Sequence, residues 1–120
     1  MKYKETTRSG GALPWLFQRI SGVYLAIVLF VHVVNLHILI DGEIGYAAIA
    51  ERVATPLWKT INISFLIVAL FHGLYGLWIV LEDYIHIGWL RVLIYGVIAT
   101  IALVFAIFGT LTMITFQYGG

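Results

Sequence analysis

The sequence predicts an all-α integral membrane protein with three transmembrane helices, its N-terminus cytoplasmic and its C-terminus outside. Three observations predict this. Hydrophobic residues make up 62% of the 120 residues and charged residues 11%, against about 45–50% and about 25% in soluble domains. Residues 20–40, 60–81 and 92–116 contain no Asp, Glu, Lys or Arg, and each is long enough for the roughly 20-residue helix that crosses a hydrocarbon core. Finally, Lys2, Lys4, Arg8 and Arg19 precede the first span and Arg91 follows the second, whereas Arg52 and Lys59 alone lie between the first two. Loops rich in Lys and Arg stay in the cytoplasm.

The same composition excludes several classes. A disordered chain is poor in apolar residues, and a nucleic-acid binder shows a basic patch that a net charge of +1 does not supply. The chain has no cysteine, so disulfides, thiolate metal sites and cysteine nucleophiles are absent. No phosphate loop, zinc spacing, internal repeat or second domain is visible. Residues 1–120 form one membrane domain, and the chain outside the spans is too short to build an enzyme active site alone.

Residues 1–13 are polar, include Ser9-Gly10-Gly11, and are expected to be irregular up to Pro14. The first span is too long for a signal-peptide core and lacks a small-residue cleavage site after it. It carries Ser21, Val28 and Asn35 at heptad spacing, with Leu25, His32 and Leu39 on the adjoining row. That stripe should face protein, because polar residues inside a membrane avoid lipid. His32 lies near the middle of the bilayer and reads as a hydrogen-bonding group or a metal ligand. His37, about 140° further round the helix, points toward headgroups or another subunit. Arg19, at the start of the span, either snorkels to the interface or pairs with an anionic group such as a carboxylate or propionate.

The connection 41–59 contains a short helical stretch at 47–52, and Thr55-Pro56 should end it, since the residue before proline avoids the helical region. The second span holds His72, about 16 Å from its cytoplasmic end at 1.5 Å per residue. Gly76 follows one turn later and leaves a flat notch of the kind a planar cofactor needs. His72 reads either as a haem axial ligand or as an interhelical hydrogen-bonding group, and the spacing leaves both open. Ala69 and Gly73 form a small-residue edge for close helix contact. Asp83 and Tyr84 close the span, as an interfacial pair or as a phenol donor to a carbonyl with an acid beside it. Residues 82–91, with His86, form a tight cytoplasmic turn. The third span has no ionisable residue; Tyr95, Ala99, Ala102, Ala106, Gly109 and Met113 form a small-residue seam. Trp15, Phe17, Trp58, Trp89, Phe116 and Tyr118 fall at the expected interfaces.

The stretch His72-Gly-Leu-Tyr-Gly-Leu-Trp-Ile-Val-Leu-Glu-Asp-Tyr84 resembles the small, cytochrome b-type membrane-anchor subunit of succinate dehydrogenase, which carries His-x3-Gly-x6-Asp-Tyr on its second span. Trp15-Leu-Phe-Gln-Arg-Ile-Ser-Gly22 and Arg52-Val-Ala-Thr-Pro-Leu-Trp-Lys59 resemble the family's approaches to spans one and two. The likeness extends over about residues 14–116.

The resemblance implies a subunit of succinate:quinone oxidoreductase in the cell inner (plasma) membrane, without an active site for succinate oxidation. With a second membrane-anchor subunit it would hold a flavoprotein and an iron–sulfur subunit on the cytoplasmic side. Electrons from succinate would reach ubiquinone or menaquinone. The implied cofactor is haem b, shared between the anchors, with His72 as one axial ligand, Arg19 at a propionate and Gly76 beside the ring. Tyr84 and Asp83, and less directly Ser21, would serve the quinone. His32 is the departure: family members hold none, one or two haems, and a mid-membrane histidine here is a candidate ligand for a second. The architecture is shared with quinol:fumarate reductase, so the direction of reaction stays open. A transport or proton-relay subunit is the competing class, and it would be expected to carry a charged residue within a span.

Overall fold

The computed structural model describes residues 11–35 and 46–118. Four helices follow in order: α1 (Ala12–Val34), α2 (Tyr46–Val53), α3 (Pro56–Tyr84) and α4 (Gly88–Thr115). There is no strand among the described residues. α1, α3 and α4 are each long and apolar enough to cross a membrane, and α2 is the short helix expected before Pro56. His37 and the start of the connection after it lie outside the described residues, as do Lys2, Lys4 and Arg8.

α3 is the central element, and α1, α2 and α4 all pack against it. α4 returns antiparallel along α3, with the seam as its inner face. Tyr95 meets Trp78 edge-on at 5.1 Å between ring centroids. Further along, a Cβ on Gly109 would lie 3.1 Å from Leu66 Cδ2, and Asn62 Nδ2 approaches Met113 Sδ at 3.9 Å. Ala106, in the middle of the seam, is buried. α1 is also antiparallel to α3, along its heptad stripe. No described residue of this chain packs closely at Gly73: a Cβ there would meet nothing within 4 Å.

Among the described residues only Ser21, Ala50, Leu81 and Ala106 are buried. Phe30, Phe105 and Phe108 are 69%, 72% and 65% exposed. A soluble protein rarely presents so continuous an apolar surface; hydrocarbon or a partner helix must cover it. The chain is a multi-pass membrane protein.

The helices outrun the charge-free spans. α1 begins at Ala12, two residues before Pro14, and Gly11 precedes it at φ +90, a conformation that only glycine adopts without strain. Thr55 is extended (ψ 143) and Pro56 is the first residue of α3, a position that suits a residue lacking an N–H. The turn expected over 82–91 narrows to residues 85–87, because Glu82, Asp83 and Tyr84 complete α3 and Arg91 already belongs to α4. At the opposite end, Lys59 Nζ donates to the carbonyl of Phe116 at 2.6 Å. A cation at a helix C-terminus answers the unpaired carbonyls and the dipole there.

Candidate functional site

His72 lies where α1 crosses α3, with Gln18, Ser21 and Gly22 of α1 around it. Ser21, at the same crossing, is 4% exposed. Its hydroxyl donates to the carbonyl of Gln18 at 2.9 Å, and its oxygen lies 2.9 Å from His72 Nδ1. A serine has one hydroxyl proton, and Gln18 takes it. The serine lone pair therefore accepts from Nδ1–H, which fixes the tautomer and leaves Nε2 with its lone pair. Nε2 meets no hydrogen-bonding group among the described residues. A ring that donates through one nitrogen and keeps the other free is the form in which histidine binds a metal.

Gln18 holds the same residue from its other side. Its Nε2 donates to the His72 backbone carbonyl at 3.1 Å. Gly76 makes room for that amide: a Cβ there would stand 3.2 Å from Gln18 Nε2. The notch expected at Gly76 is thus filled by a side chain of α1, and the open glycine beside His72 is Gly73. Gly22 completes the enclosure, since a Cβ on it would lie 3.3 Å from His72 Cε1. Gln18 Oε1 is buried without a hydrogen-bonding partner.

His32 is placed otherwise. Nδ1 donates to the carbonyl of Val28 at 2.9 Å, and Nε2 lies 2.7 Å from the side-chain amide of Asn62. The Asn62 atom at that distance is Oδ1, while its Nδ2 turns to Met113. Trp58 and Phe65 flank the ring at 5.9 and 5.5 Å. Both nitrogens are engaged within the chain. Between the two histidines Tyr24 bonds to Ser64, whose hydroxyl donates to the carbonyl of Ile61. Beyond His32, Arg52 donates to Asn35 at 2.7 Å.

At the other end of α3, Tyr84 is 81% exposed and Asp83 stands beside it, also exposed. Carboxylates in a last helical turn oppose the helix dipole. Glu82 accepts from Trp78 Nε1–H at 2.9 Å, and Arg91 lies over the same indole at 5.4 Å. Arg19 is exposed and lies over Trp15, 4.4 Å from the ring centroid. The structure therefore brings Ser21 and Gly76 to His72, through Gln18 for the latter, and leaves Arg19 and the Asp83–Tyr84 pair at the surface nearby in sequence. His32 forms a separate cluster.

The donor set bears on which cofactor the chain can hold. No group of three or more His, Cys, Asp or Glu side chains converges among the described residues. A haem shared between two chains would take one nitrogen from this one, and His72 Nε2, with its lone pair free, would be the atom to offer it. The residues present fit that demand.

Gln18 and Gly22 lie in the 15–22 stretch that carries the family resemblance, but neither was singled out as a site residue, although the spacing held a signal for Gln18. Positions 18, 21, 25, 28, 32 and 35 alternate three and four apart, so the stripe that faces α3 extends back one further turn. The pairing of His32 with Asn62 had no signal beyond two polar residues at similar depth.

Comparison with known proteins adds an independent line. A family model described as succinate dehydrogenase/fumarate reductase transmembrane subunit matches residues 6–114. A protein of Archaeoglobus fulgidus named succinate dehydrogenase hydrophobic membrane anchor subunit is 32% identical over 71 residues, covering 59% of this chain. The chain spans about 61% of the length of that relative. With almost its whole length matched by one family and three membrane helices in place, the chain belongs to the succinate dehydrogenase/fumarate reductase transmembrane-subunit family.

Proposed function

We propose that the chain is a membrane-anchor subunit of succinate:quinone oxidoreductase, contributing one haem b ligand and part of a quinone site. The observation that carries the proposal is His72, whose Nδ1–H is committed to Ser21 while Nε2 stays free. Haem b, when bound, supplies a one-electron carrier of tunable potential. The residues of this chain would hold it through His72 Nε2, with Arg19 toward a propionate. His32 is proposed as an interhelical hydrogen-bonding group, since Val28 and Asn62 occupy both of its nitrogens.

Tyr84 would donate a hydrogen bond to a quinone carbonyl at the membrane edge. A phenol hydroxyl polarises a carbonyl without carrying charge, and Asp83 would position the donor or pass protons. The five-to-two distribution of Lys and Arg supports the cytoplasm as the side of Tyr84 and of the docked flavoprotein and iron–sulfur subunits. The name of the archaeal relative favours succinate oxidation over fumarate reduction as the physiological direction.

The test is purification of the tagged chain from its native membrane. The expected result is co-purification of a second anchor, a flavoprotein and an iron–sulfur protein, with b-type absorbance and succinate-dependent quinone reduction. A chain that purifies without those partners and without haem would contradict the proposal.

A further inference from the structure

We infer that Gln18, Ser21 and Gly22 form a cradle on α1 that sets the tautomer and ring orientation of His72, and that Ser21 thereby tunes the haem rather than binding quinone. The inference rests on His72 being the haem ligand. Ser21 is nearly inaccessible, its single proton is given to Gln18 and one of its lone pairs accepts from His72. The hydroxyl has no proton left to offer a quinone carbonyl. Gln18 pins the backbone of His72 through its carbonyl, and Gly22 lies against the ring edge at Cε1. The imidazole is thus held from its Nδ1 edge, its Cε1 edge and its main chain by one stretch of α1.

The physical effect follows from the hydrogen bond. An acceptor on Nδ1–H raises the basicity of the ligating nitrogen and fixes the plane of the ring. A more basic ligand favours ferric over ferrous iron and lowers the potential. Ser21→Ala removes the acceptor and keeps the volume almost unchanged. Ser21→Thr keeps the hydroxyl. Ser21 acts through His72 and is a positioning residue.

The experiment compares the assembled membrane complex carrying wild-type chain, Ser21→Ala, Ser21→Thr, Gly22→Ala and His72→Ala. The readouts are haem content, midpoint potential and the low-spin ferric electron paramagnetic resonance spectrum, which reports the ring plane. Ser21→Ala should weaken haem retention by about 10–100-fold and raise the midpoint potential by up to a tenfold change in the one-electron equilibrium, about 59 mV. Ser21→Thr should restore both. Gly22→Ala, which crowds Cε1 with Ser21 intact, should alter the resonance spectrum, and it serves if Ser21→Ala does not assemble. Unchanged potential and spectrum in Ser21→Ala or, where that fails to assemble, an unchanged spectrum in Gly22→Ala would overturn the inference. So would lost quinone-inhibitor affinity at wild-type potential. In either case, loss of haem in His72→Ala would leave the ligand assignment standing. Haem retained in His72→Ala would overturn both.

Discussion

Tyr84 is exposed and His72 half-buried against α1, and that contrast separates their chemistry. Tyr84 is 81% exposed at the end of α3, so its hydroxyl is available to a ligand at the membrane edge. Tyr84→Phe removes only that hydroxyl. A hydrogen bond of this kind contributes roughly 0.5–1.5 kcal/mol, or about 2–12-fold in a rate or affinity that depends on it. Succinate oxidation with a soluble dye acceptor is expected to persist while quinone reduction falls by that factor. Wild-type quinone kinetics in Tyr84→Phe would reduce Tyr84 to an interfacial aromatic. At this scale much of the site was legible: a histidine at mid-membrane depth and an Asp-Tyr pair are visible as residues out of place in lipid. The partner of His72 was not. Ser21 could be assigned to the protein-facing stripe, but its bond to Nδ1 depends on the vertical register of α1 against α3, which no local pattern encodes.

Elements proved longer than their charge-free cores. Charges mark where a membrane ends, whereas a helix ends where its backbone hydrogen bonds stop, so Glu82 and Asp83 lie beyond the span yet inside α3. The seam on α4 was legible because small residues at alternating three- and four-residue spacing can only serve close helix approach. What it approaches was settled by the short 85–87 connection, which returns α4 along α3. Gly109 is the tightest point, with Leu66 Cδ2 at 3.1 Å from a built Cβ. Gly109→Ala asks a flexible side chain to shift slightly and gains helix propensity of about 1 kcal/mol, so it should be near neutral. Gly109→Leu overfills the seam and should destabilise by about 1–3 kcal/mol, read as a lower melting temperature of the purified complex. A Gly109→Leu complex as stable as wild type would show that α3 and α4 are not held at this point.

For the whole molecule, three membrane helices with almost no buried interior mean that most of the fold's apolar surface is satisfied by hydrocarbon or by partner helices. The long α1–α3 interface is different: it carries the polar pairs Ser21–His72, Tyr24–Ser64 and His32–Asn62 in order from one end to the other, and just past the end of α1 Asn35 continues the row to Arg52 of α2. Unpaired, each would be expensive in lipid, so the ladder fixes the register that presents His72. The proposed direction in the membrane rests on charge and is testable, because the chain lacks cysteine. A cysteine at His86, in the exposed 85–87 turn, should resist an impermeant thiol reagent in intact cells. One at Gln117, exposed beyond α4, should react. The reverse pattern would invert the molecule and move the Tyr84 end to the outside.

The central claim is that His72 and not His32 ligates haem, and the most direct measurement is the haem content of the assembled complex with each histidine replaced. Both sit at the α1–α3 interface and both are hydrogen-bonded across it. The account predicts that His72→Ala abolishes or displaces the b-type absorbance assigned to this ligand, whereas His32→Gln retains wild-type haem per complex. Full haem content in His72→Ala, or loss of one haem per complex in His32→Gln, would contradict it.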